Sequence, residues 1–403
     1  MPSPAAHPAW PALTFEELTW TPTISPELIS RSMRERAGRP YRAAIVPPIA
    51  DRSPRLPSSL EALVSDATAA IARFDSEVGG ELAPFSSMLL RSESTSSSRI
   101  ENLTSGAKAI LLAEMGSRGK RNASEIVGNV AAMRAALRLA DQLDADAILA
   151  MHSALLTPVD QNAAGKWRTE QVWIGGDAYS PHQADFVPPH HSQVAALIDD
   201  LVRFARRADL PLLTQVAITH AQFETIHPFT DGNGRTGRAL IHAMLRGHGL
   251  TRSVTVPVSA GLLMDTAGYF AALTAYRDGD PAPITTALAH ASFAAIDNGR
   301  RLVDDLRAIR EGWNSLINAR RDSAAWRLAD LLLRQPVIDA GVVSRELSLN
   351  PANVMRPVKP LVEAGVLTEF TGYARNRMWQ AREVLDALDA FAARAARRRP
   401  SQT

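Results

Sequence analysis

Residues 227–238 of this chain read HPFTDGNGRTGR, and they hold its densest group of chemically active side chains. Gly232 and Gly234 let the backbone turn tightly and bring main-chain N–H groups close to an anion. Helical periodicity dominates this part of the chain, so we predict that the turn leads into a helix near Arg235. The unpaired N–H groups and the dipole at the start of such a helix favour an anion at the same place.

Charged and ionisable side chains surround the predicted turn. Arg235 and Arg238 are three residues apart, on one side of the first helical turn, where they can clamp a phosphate. Asp231 is a hard oxygen ligand of the kind that binds Mg²⁺ together with phosphate oxygens. His227 has an ordinary pKa of about 6.5, which suits a general base. Together these groups predict phosphoryl-type chemistry on a nucleotide.

The spacing of Asp231 and Asn233 also matches the start of a calcium-binding loop. In such a loop the third ligand position falls on Arg235, and the bidentate glutamate falls on His242. Neither side chain can bind calcium in that role, so a calcium loop is excluded.

Two other hypotheses stay open for this stretch. His220, Glu224 and His227 share one face of a helix, as the ligands of a metal site do. A glycine-rich turn with a purely structural role is the other alternative.

Residues 227–238 resemble the signature of the Fic family, His-x-Phe-x-Asp/Glu-Gly-Asn-Gly-Arg-x-x-Arg, at every fixed position. Most characterised members of that family transfer AMP from ATP to a hydroxyl of a target protein. The resemblance therefore implies a protein adenylyltransferase, which is a nucleotidyltransferase. It also implies Mg²⁺ as cofactor, and ATP and a protein with a Ser, Thr or Tyr hydroxyl as substrates.

The resemblance implies a role for each matching residue. His227 would deprotonate the target hydroxyl, and Asp231 would hold Mg²⁺. The residues that would bind phosphate are Asn233 and the amides around Gly232 and Gly234 for the α-phosphate, and Arg235 and Arg238 for the β- and γ-phosphates. A related branch, the death-on-curing kinases, has lysine at the position of Gly234 and binds the nucleotide reversed. Gly234 therefore favours AMP transfer over kinase activity, while UMP or phosphocholine as the transferred group stays open.

A second stretch resembles the flap of the Fic family, a hairpin that positions the target segment. Gly165-x-x-Arg168 precedes a β-like run closed by two glycines. The flap residues that would dock the target are Gln171, Val172, Trp173, Ile174 and Gly175. An exposed strand edge can register an extended target segment by β-augmentation. An ordinary surface hairpin is the alternative.

Tyr269 falls where the family has a tyrosine near the adenine, followed by Phe270 where many relatives have a second tyrosine. The resemblance thus adds Tyr269 to the ATP-binding residues. A core aromatic residue explains it equally well.

The stretch from Ser97 to Asn102 resembles the inhibitory pattern of the family, Ser/Thr-x-x-x-Glu-Gly/Asn. The resemblance implies that Glu101 pairs with Arg238 and obstructs the γ-phosphate, so that ATP enters with its α-phosphate misaligned. A carboxylate in a site built for phosphate competes for the same forked donor. We therefore predict an enzyme that is autoinhibited in cis, with a serine-rich helix end as the structural alternative.

Some relatives with this glutamate also remove AMP, and use the glutamate to orient the attacking water. A de-AMPylase, which hydrolyses a phosphodiester, is therefore the first alternative function. It requires Glu101 for activity, whereas autoinhibition predicts that Glu101 suppresses activity.

Residues 326–385 predict a winged helix, and many Fic proteins resemble this arrangement of a helix-turn-helix module after the catalytic domain. The predicted elements are helices over Trp326–Leu333, Val343–Leu347 and from the N-cap Asn350 toward Gly365, then a hairpin over Val366–Gln380 with Arg375 and Arg377 near its tip.

DNA binding through this module would place Asn353, Arg356 and Lys359 in a groove. Pro357 and Pro360 interrupt the predicted recognition helix, which favours a protein-interaction or packing role. A DNA-binding transcriptional regulator on a Fic scaffold is nevertheless the second alternative function. The partners that the sequence leaves open are thus DNA, a protein, or a second copy of the chain in a homo-oligomer.

The composition sets limits on these hypotheses. The 403 residues are 46% hydrophobic and carry a net charge of only +2, which describes a globular protein and gives no argument for nucleic acid. The lack of cysteine excludes disulfides and thiolate nucleophiles. No signal peptide and no apolar run of ~20 residues is present, so we predict a cytoplasmic protein that does not enter the membrane.

We therefore predict a mainly α fold, with a Fic-type helical core, a small β-hairpin flap and a C-terminal winged helix-turn-helix domain. The predicted divisions are an N-terminal region over 1–111 with the inhibitory helix at about 86–111, a catalytic core over 112–300, a linker helix over 301–325, the winged helix over 326–390 and a basic tail over 391–403.

Overall fold

The computed structural model describes residues 10–21, 30–36, 38–80, 84–117, 120–177, 179–372 and 376–397. Most of these residues are helical, as predicted. The α-helices are α1 (Arg31–Arg36), α2 (Ser58–Gly79), α3 (Pro84–Ile100), α4 (Ala107–Glu114), α5 (Arg121–Arg138), α6 (Ala145–Leu156), α7 (Val194–Ala205), α8 (Leu212–Ile226), α9 (Asn233–Gly247), α10 (Val258–Leu263), α11 (Thr266–Arg277), α12 (Ala282–Leu316), α13 (Ala324–Leu332), α14 (Ala340–Leu347), α15 (Met355–Glu363) and α16 (Arg382–Ala395). None of these helices is long and apolar enough to cross a membrane.

Two small antiparallel sheets accompany the helices. The strands are β1 (Thr14–Thr19), β2 (Pro40–Ile45), β3 (Val337–Asp339), β4 (Thr368–Glu369) and β5 (Met378–Gln380). β1 pairs with β2, and β5 lies between β3 and β4.

The chain divides into two compact units, each built from three stretches of sequence. The first unit comprises Met1–Ser65, Ala135–His248 and Ala267–Leu288. Its central element is α8, in which every residue from 213 to 226 is buried. α9 packs closely on α8, because a Cβ at Gly237 would lie only 2.7 Å from Glu224 Oε1 and 3.0 Å from Phe223 Cδ1. Glycine at this position therefore permits the close approach of the two helices that hold residues 227–238.

The second unit comprises Asp66–Arg134, Gly249–Thr266 and Ala289–Thr403. In it, the serine-rich stretch from 92 to 98 lies inside α3 and is almost entirely buried. Asn129 on α5 donates to the carbonyl of Ser94 at 2.8 Å and to Ser98 Oγ at 3.1 Å. Glu93 accepts the N–H of Ser259 at 2.8 Å, at the start of α10. Hydrogen bonds between polar groups thus hold much of this buried helix.

The prediction of one inhibitory helix over about 86–111 is wrong in its C-terminal half. α3 ends at Ile100, and α4 begins only at Ala107. Asn102 adopts a left-handed conformation with φ 61°, the N–H of Leu103 bonds to the carbonyl of Ser98, and the N–H of Asn102 bonds to that of Arg99. This is a Schellman motif, which ends a helix at a residue that tolerates positive φ.

The predicted linker helix over 301–325 is also not a separate element. α12 runs without a break from Ala282 to Leu316, and α13 begins at Ala324. The predicted basic tail at 391 is wrong as well, because α16 continues to Ala395. In that helix Arg394 Nε donates to Asn298 Oδ1 at 2.6 Å, so this arginine is not part of a solvated terminus.

The C-terminal elements follow the order α13, β3, α14, α15, β4 and β5. Asn350 accepts the N–H of Ala352 at 3.0 Å, as predicted for an N-cap, although the turn that it caps is a 3₁₀ turn over Pro351–Asn353. The prediction that two prolines interrupt the next helix is wrong, because α15 contains both Pro357 and Pro360. Pro357 lies in the first turn, where an N–H has no partner within the helix and its loss costs little.

The predicted wing lies partly outside the described residues, which exclude Arg375. Arg377 forms an ion pair with Glu369, and its guanidinium lies 5.1 Å from the ring centroid of Trp379. Both contacts bind the Arg377 guanidinium to residues of its own hairpin.

Candidate active site

The loop over residues 227–232 joins α8 to α9 by two left-handed residues. His227 ends α8 with φ 50° and ψ 61°, and its N–H donates to the carbonyl of Phe223 at 2.9 Å. Gly232 begins α9 with φ 77°, where a Cβ would lie 2.8 Å from Leu155 Cδ2. The predicted glycine turn into a helix is therefore confirmed, and His227 sits at its entrance.

Asn233 braces this loop with both atoms of its side-chain amide. Oδ1 accepts the N–H of Phe229 at 2.9 Å, and Nδ2 donates to the carbonyl of Phe229 at 2.9 Å. Because the side-chain amide is engaged by the loop, the main-chain N–H of Asn233 is the group that remains for the predicted phosphate contact. Phe229 is itself fully buried and stacks on the His152 ring, with centroids 3.6 Å apart.

His152 holds the other side of the loop, a role that sequence reasoning missed. Its Nδ1 accepts the N–H of Gly165 at 3.0 Å, so its Nε2 carries the proton and donates to the carbonyl of Asp231 at 3.0 Å. Burial lowers the pKa of His152 to about 4, so the ring is neutral at pH 7. No motif marks a single histidine on α6, so the sequence offered no signal for this contact.

A nest of main-chain N–H groups without helical partners lies at the start of α9. The first N–H groups of the helix, from Asn233 onward, have no carbonyl partner within it. Arg235 and Arg238 are both buried in the same two turns. The nest and both arginines therefore lie where the sequence predicts them, and the helix dipole adds to their positive potential.

The Asp231 carboxylate stands beside this nest and faces solvent. Its side chain is 70% exposed, and Oδ1 lies 3.3 Å from an Arg235 nitrogen and accepts the N–H of Gly232 at 2.6 Å. A single accessible carboxylate suits Mg²⁺, which keeps most of its coordination for water and phosphate oxygens. The residues present thus fit the cofactor that the resemblance implies.

The metal-site hypothesis for His220, Glu224 and His227 is wrong. Among the described residues, no three acidic or histidine side chains converge on a common point where a metal could bind. His220 Nε2 lies 2.7 Å from the hydroxyl of Tyr269, and His227 has left the helical conformation that would align it with the other two.

The His227 imidazole is half-buried and neutral. Its Nδ1 is buried and has no hydrogen-bond partner in the described ranges. Burial lowers the pKa of His227 to about 3, and the positive charges of Arg168 and Arg277 contribute to the shift. A neutral imidazole with an available nitrogen is the form that can accept a proton.

We expect this lowered pKa to be visible in the protein without nucleotide. A histidine with a depressed pKa takes up no proton until the pH falls toward that pKa, so the His227 ring should stay neutral from about pH 8 to about pH 5. NMR of the ring nitrogens, assigned with a His227→Gln variant, measures this. A titration midpoint near 6.5 would contradict the description of the site.

The flap is held by main-chain hydrogen bonds at Ile174 and by side-chain contacts. Ile174 forms an isolated bridge with Phe186, so the predicted hairpin closed at Gly175 and Gly176 instead pairs residues farther apart in sequence. The Gln171 amide donates to the carbonyl of Pro188 at 2.9 Å, and the Trp173 ring packs edge-on against Trp20 at 5.3 Å. These contacts fix the position of the flap. The sequence pattern of the flap does not predict them, because their partners lie elsewhere in the chain.

A groove of about 510 Å³ runs beside the flap. Its lining includes the flap residues Gln171, Val172 and Trp173, Tyr41 of β2, and Thr230 of the loop between α8 and α9. Three of the five predicted docking residues therefore share one groove with the loop that holds His227, whereas Ile174 and Gly175 do not line it.

Tyr269 lies in the core of the first unit and is 2% exposed. Its hydroxyl lies 2.7 Å from His220 Nε2, whereas the neighbouring Phe270 is 50% exposed. This placement favours the core interpretation of Tyr269 over contact with the adenine.

The residues of the inhibitory pattern lie in the second unit. Ser97 is buried in the last turns of α3, Glu101 is the residue at which the helix ends, and Asn102 is the left-handed residue that follows. The Schellman motif explains the pattern, because glycine and asparagine are the residues that adopt positive φ after a helix. The pairing of Glu101 with Arg238 stays a prediction.

Comparison with known proteins agrees with this description. Residues 142–245 match the model of the Fic/DOC family, and residues 61–138 match that of the Fic/DOC family N-terminal region. The protein adenylyltransferase fic-1 of Caenorhabditis briggsae is 34% identical over 200 residues, or 47% of this chain, and that of Caenorhabditis elegans is 31% identical over 196 residues. The chain spans only 36% of the length of either relative.

A solved structure shows the same fold. The crystal structure of a Fic family protein from Desulfovibrio desulfuricans G20 aligns with a TM-score of 0.50, at 20% sequence identity. The alignment covers 81% of this chain and 97% of that one.

Proposed function

Because this chain carries a Fic/DOC family domain and the N-terminal region of that family, we propose that it is a protein adenylyltransferase. It transfers AMP from ATP to a hydroxyl side chain of a target protein. One observation carries this proposal: a neutral histidine and the amide nest at the start of α9 are joined by a single braced loop. The curated relatives, which are named protein adenylyltransferases, support the same activity.

In the proposed reaction, the target hydroxyl gives its proton to His227 as its oxygen attacks the α-phosphorus of ATP. The bond between that phosphorus and the oxygen bridging to the β-phosphate breaks, and pyrophosphate leaves. The amides from Asn233 onward stabilise the negative charge that develops on the α-phosphate. The protonated His227 then returns its proton to solvent.

The charges of the site match this sequence of events. The bound triphosphate brings negative charge near His227, which raises the low pKa of the ring toward the range where it is an effective base. Arg235 and Arg238 bind the β- and γ-phosphates. Asp231 would hold Mg²⁺, and the bound ion would neutralise charge on the phosphates.

The target protein docks in the groove beside the flap. An extended target segment can form main-chain hydrogen bonds along Gln171–Trp173, which places a hydroxyl near the loop between α8 and α9. Thr230 lines the same groove and belongs to that loop.

We further propose that Glu101 inhibits the enzyme in cis by pairing with Arg238. The match of residues 97–102 to the inhibitory pattern of the family supports this proposal. A carboxylate paired with Arg238 would occupy a donor that the γ-phosphate needs.

A labelling experiment tests the activity. We expect the Glu101→Gly variant, incubated with Mg²⁺ and ATP labelled at the α-phosphate, to label itself or an added protein. ATP labelled at the γ-phosphate should give no label. Label from the γ-position only would indicate a kinase, and release of AMP from a modified protein only by the wild type would indicate a de-AMPylase.

The C-terminal module has the element order of a winged helix, and we propose that it binds a protein rather than DNA. On α15, the side chains of Met355 and Val362 are 40% and 39% exposed. Lys359 lies 3.6 Å from Glu363, and Arg377 of the wing pairs with Glu369. An exposed apolar surface with paired cations suits a protein partner better than a phosphate backbone.

A further inference from the structure

The Arg168 guanidinium connects the flap to the loop over residues 227–232 by donating hydrogen bonds to main-chain carbonyls. Its Nε donates to the carbonyl of His227 at 2.9 Å, and a terminal nitrogen donates to that of Glu170 at 3.0 Å. The other terminal nitrogen donates to Pro189 at 2.5 Å and to Ile226 at 3.5 Å. One guanidinium thus reaches the end of α8, the start of the flap and the segment after it.

The contact matters because the backbone of His227 is strained. A residue other than glycine rarely adopts φ 50°, and this conformation persists only where neighbouring contacts hold it. The Nε of Arg168 fixes the His227 carbonyl, and the Arg168 N–H donates to the carbonyl of Pro228 at 2.9 Å. Both bonds act on the peptide groups that set the direction of the imidazole.

The Arg168 charge is also placed to act on this helix end. Arg168 is only 3% exposed, and its hydrogen-bond partners among the described residues are carbonyls. The dipoles of these carbonyls stabilise a cation at the C-terminus of α8. Burial lowers the pKa of Arg168 to about 10, so the side chain is still protonated at pH 7. Hydrogen bonds to these carbonyls therefore offset part of the free-energy cost of burying the Arg168 charge.

We propose that Arg168 is a positioning residue that fixes the orientation of the His227 imidazole relative to the flap. The hydroxyl of a target protein docked along the flap then lies beside the base. This inference rests on the proposed function, because it assigns the geometry of the same site. The planar fork with five N–H donors can serve four carbonyls at once, whereas lysine offers three donors from one nitrogen.

The test uses Arg168→Lys and Arg168→Met in the full chain that carries Glu101→Gly. We expect AMP transfer from α-labelled ATP to fall by about 100-fold in both, because a displacement of about 1 Å between base and hydroxyl costs that much. The KM for ATP should change by less than about twofold, because Arg168 contacts no part of the nest at the start of α9. Unchanged transfer, or loss of ATP affinity in parallel with transfer, would overturn the proposal.

Arg207→Lys is the matched control. Arg207 also donates to main-chain carbonyls, those of Ala50 and Arg52, but it joins α7 to a segment that carries none of the proposed site residues. We expect it to lower the melting temperature without changing transfer. Equal losses of transfer in the Arg207 and Arg168 variants would mean that Arg168 acts through general stability.

Hydrogen exchange separates this proposal from the proposed function. In the Arg168 variants, amide exchange should rise together over residues 169–176 and 227–230, and in Arg207→Lys over neither. This result is expected whether or not the chain transfers AMP. If only one of the two segments responds, Arg168 does not couple them, and the proposal fails even if the Glu101→Gly parent labels protein.

Discussion

Replacing His227 with alanine is expected to reduce AMP transfer by between about 10²- and about 10⁴-fold, the range that a general base contributes. The imidazole is the ring at the entrance of the loop, its low pKa keeps it unprotonated at pH 7, and the bound triphosphate raises its proton affinity. The substitution removes a half-buried ring and leaves the brace between Asn233 and Phe229 intact. Transfer from α-labelled ATP, measured in the chain with Glu101→Gly, gives the size of the loss.

Two control measurements show whether the loss of transfer in His227→Ala is due to the missing base. ATP affinity should be preserved in His227→Ala, because the nest at the start of α9 does not use the imidazole. His248→Ala is the matched control, since His248 ends α9 and its Nε2 lies 3.0 Å from the carbonyl of Ala205, at the opposite end of the helix from the nest. We expect this control to transfer AMP at the parent rate. Transfer that survives in His227→Ala would exclude this histidine as the base.

The central site could be predicted from the sequence because its chemistry is local. The glycine turn, the arginines and Asp231 lie within the eight residues 231–238, and local backbone preferences suffice to arrange them. The asparagine after Glu101 carried a further local signal, since a left-handed residue ends a helix. That signal was sufficient to end the predicted helix at 100 instead of 111.

The supporting contacts could not be predicted in the same way, because they join residues far apart in sequence. His152 meets the loop 79 residues later, and Arg168 meets His227 59 residues later. A single sequence without aligned relatives contains no pattern that indicates contact between positions so far apart. The serine stretch in α3 shows another limit, because its polar composition gives no sign that it lies in a buried helix.

The structure also gives buried partners to two residues that the family resemblance places at the ATP site. Asn233 was assigned to phosphate, yet its amide binds the main chain of Phe229, because a buried loop must satisfy its own N–H and carbonyl groups first. The resemblance places Tyr269 near the adenine, with a core role as the alternative, and its hydroxyl lies 2.7 Å from His220 Nε2 in the core. In both cases a buried partner, which the sequence does not reveal, took the polar group.

Replacing Glu101 with glycine is expected to raise AMP transfer by about 5- to about 150-fold, the range of a coupling of about 1–3 kcal/mol between an inhibitory group and a substrate. Removing the carboxylate leaves Arg238 available to the γ-phosphate, so the α-phosphate can align for attack. Glycine at the end of α3 costs little structure, because the left-handed turn is made by the next residue, Asn102. Initial rates with α-labelled ATP, compared with the wild type, measure the gain.

Two further variants identify the cause of that gain. Glu101→Gln keeps the size of the side chain and removes its charge, so it should activate nearly as much as glycine if the ion pair with Arg238 is what inhibits. Glu77→Gly removes a different glutamate from the same unit, one that pairs with Arg300 at 2.8 Å on the surface, and should leave transfer unchanged. If Glu101→Gly instead abolishes release of AMP from a modified protein and no variant transfers it, the glutamate orients a water molecule and the enzyme is a hydrolase. The sign of the effect at Glu101 therefore decides between the two activities that the same loop could support.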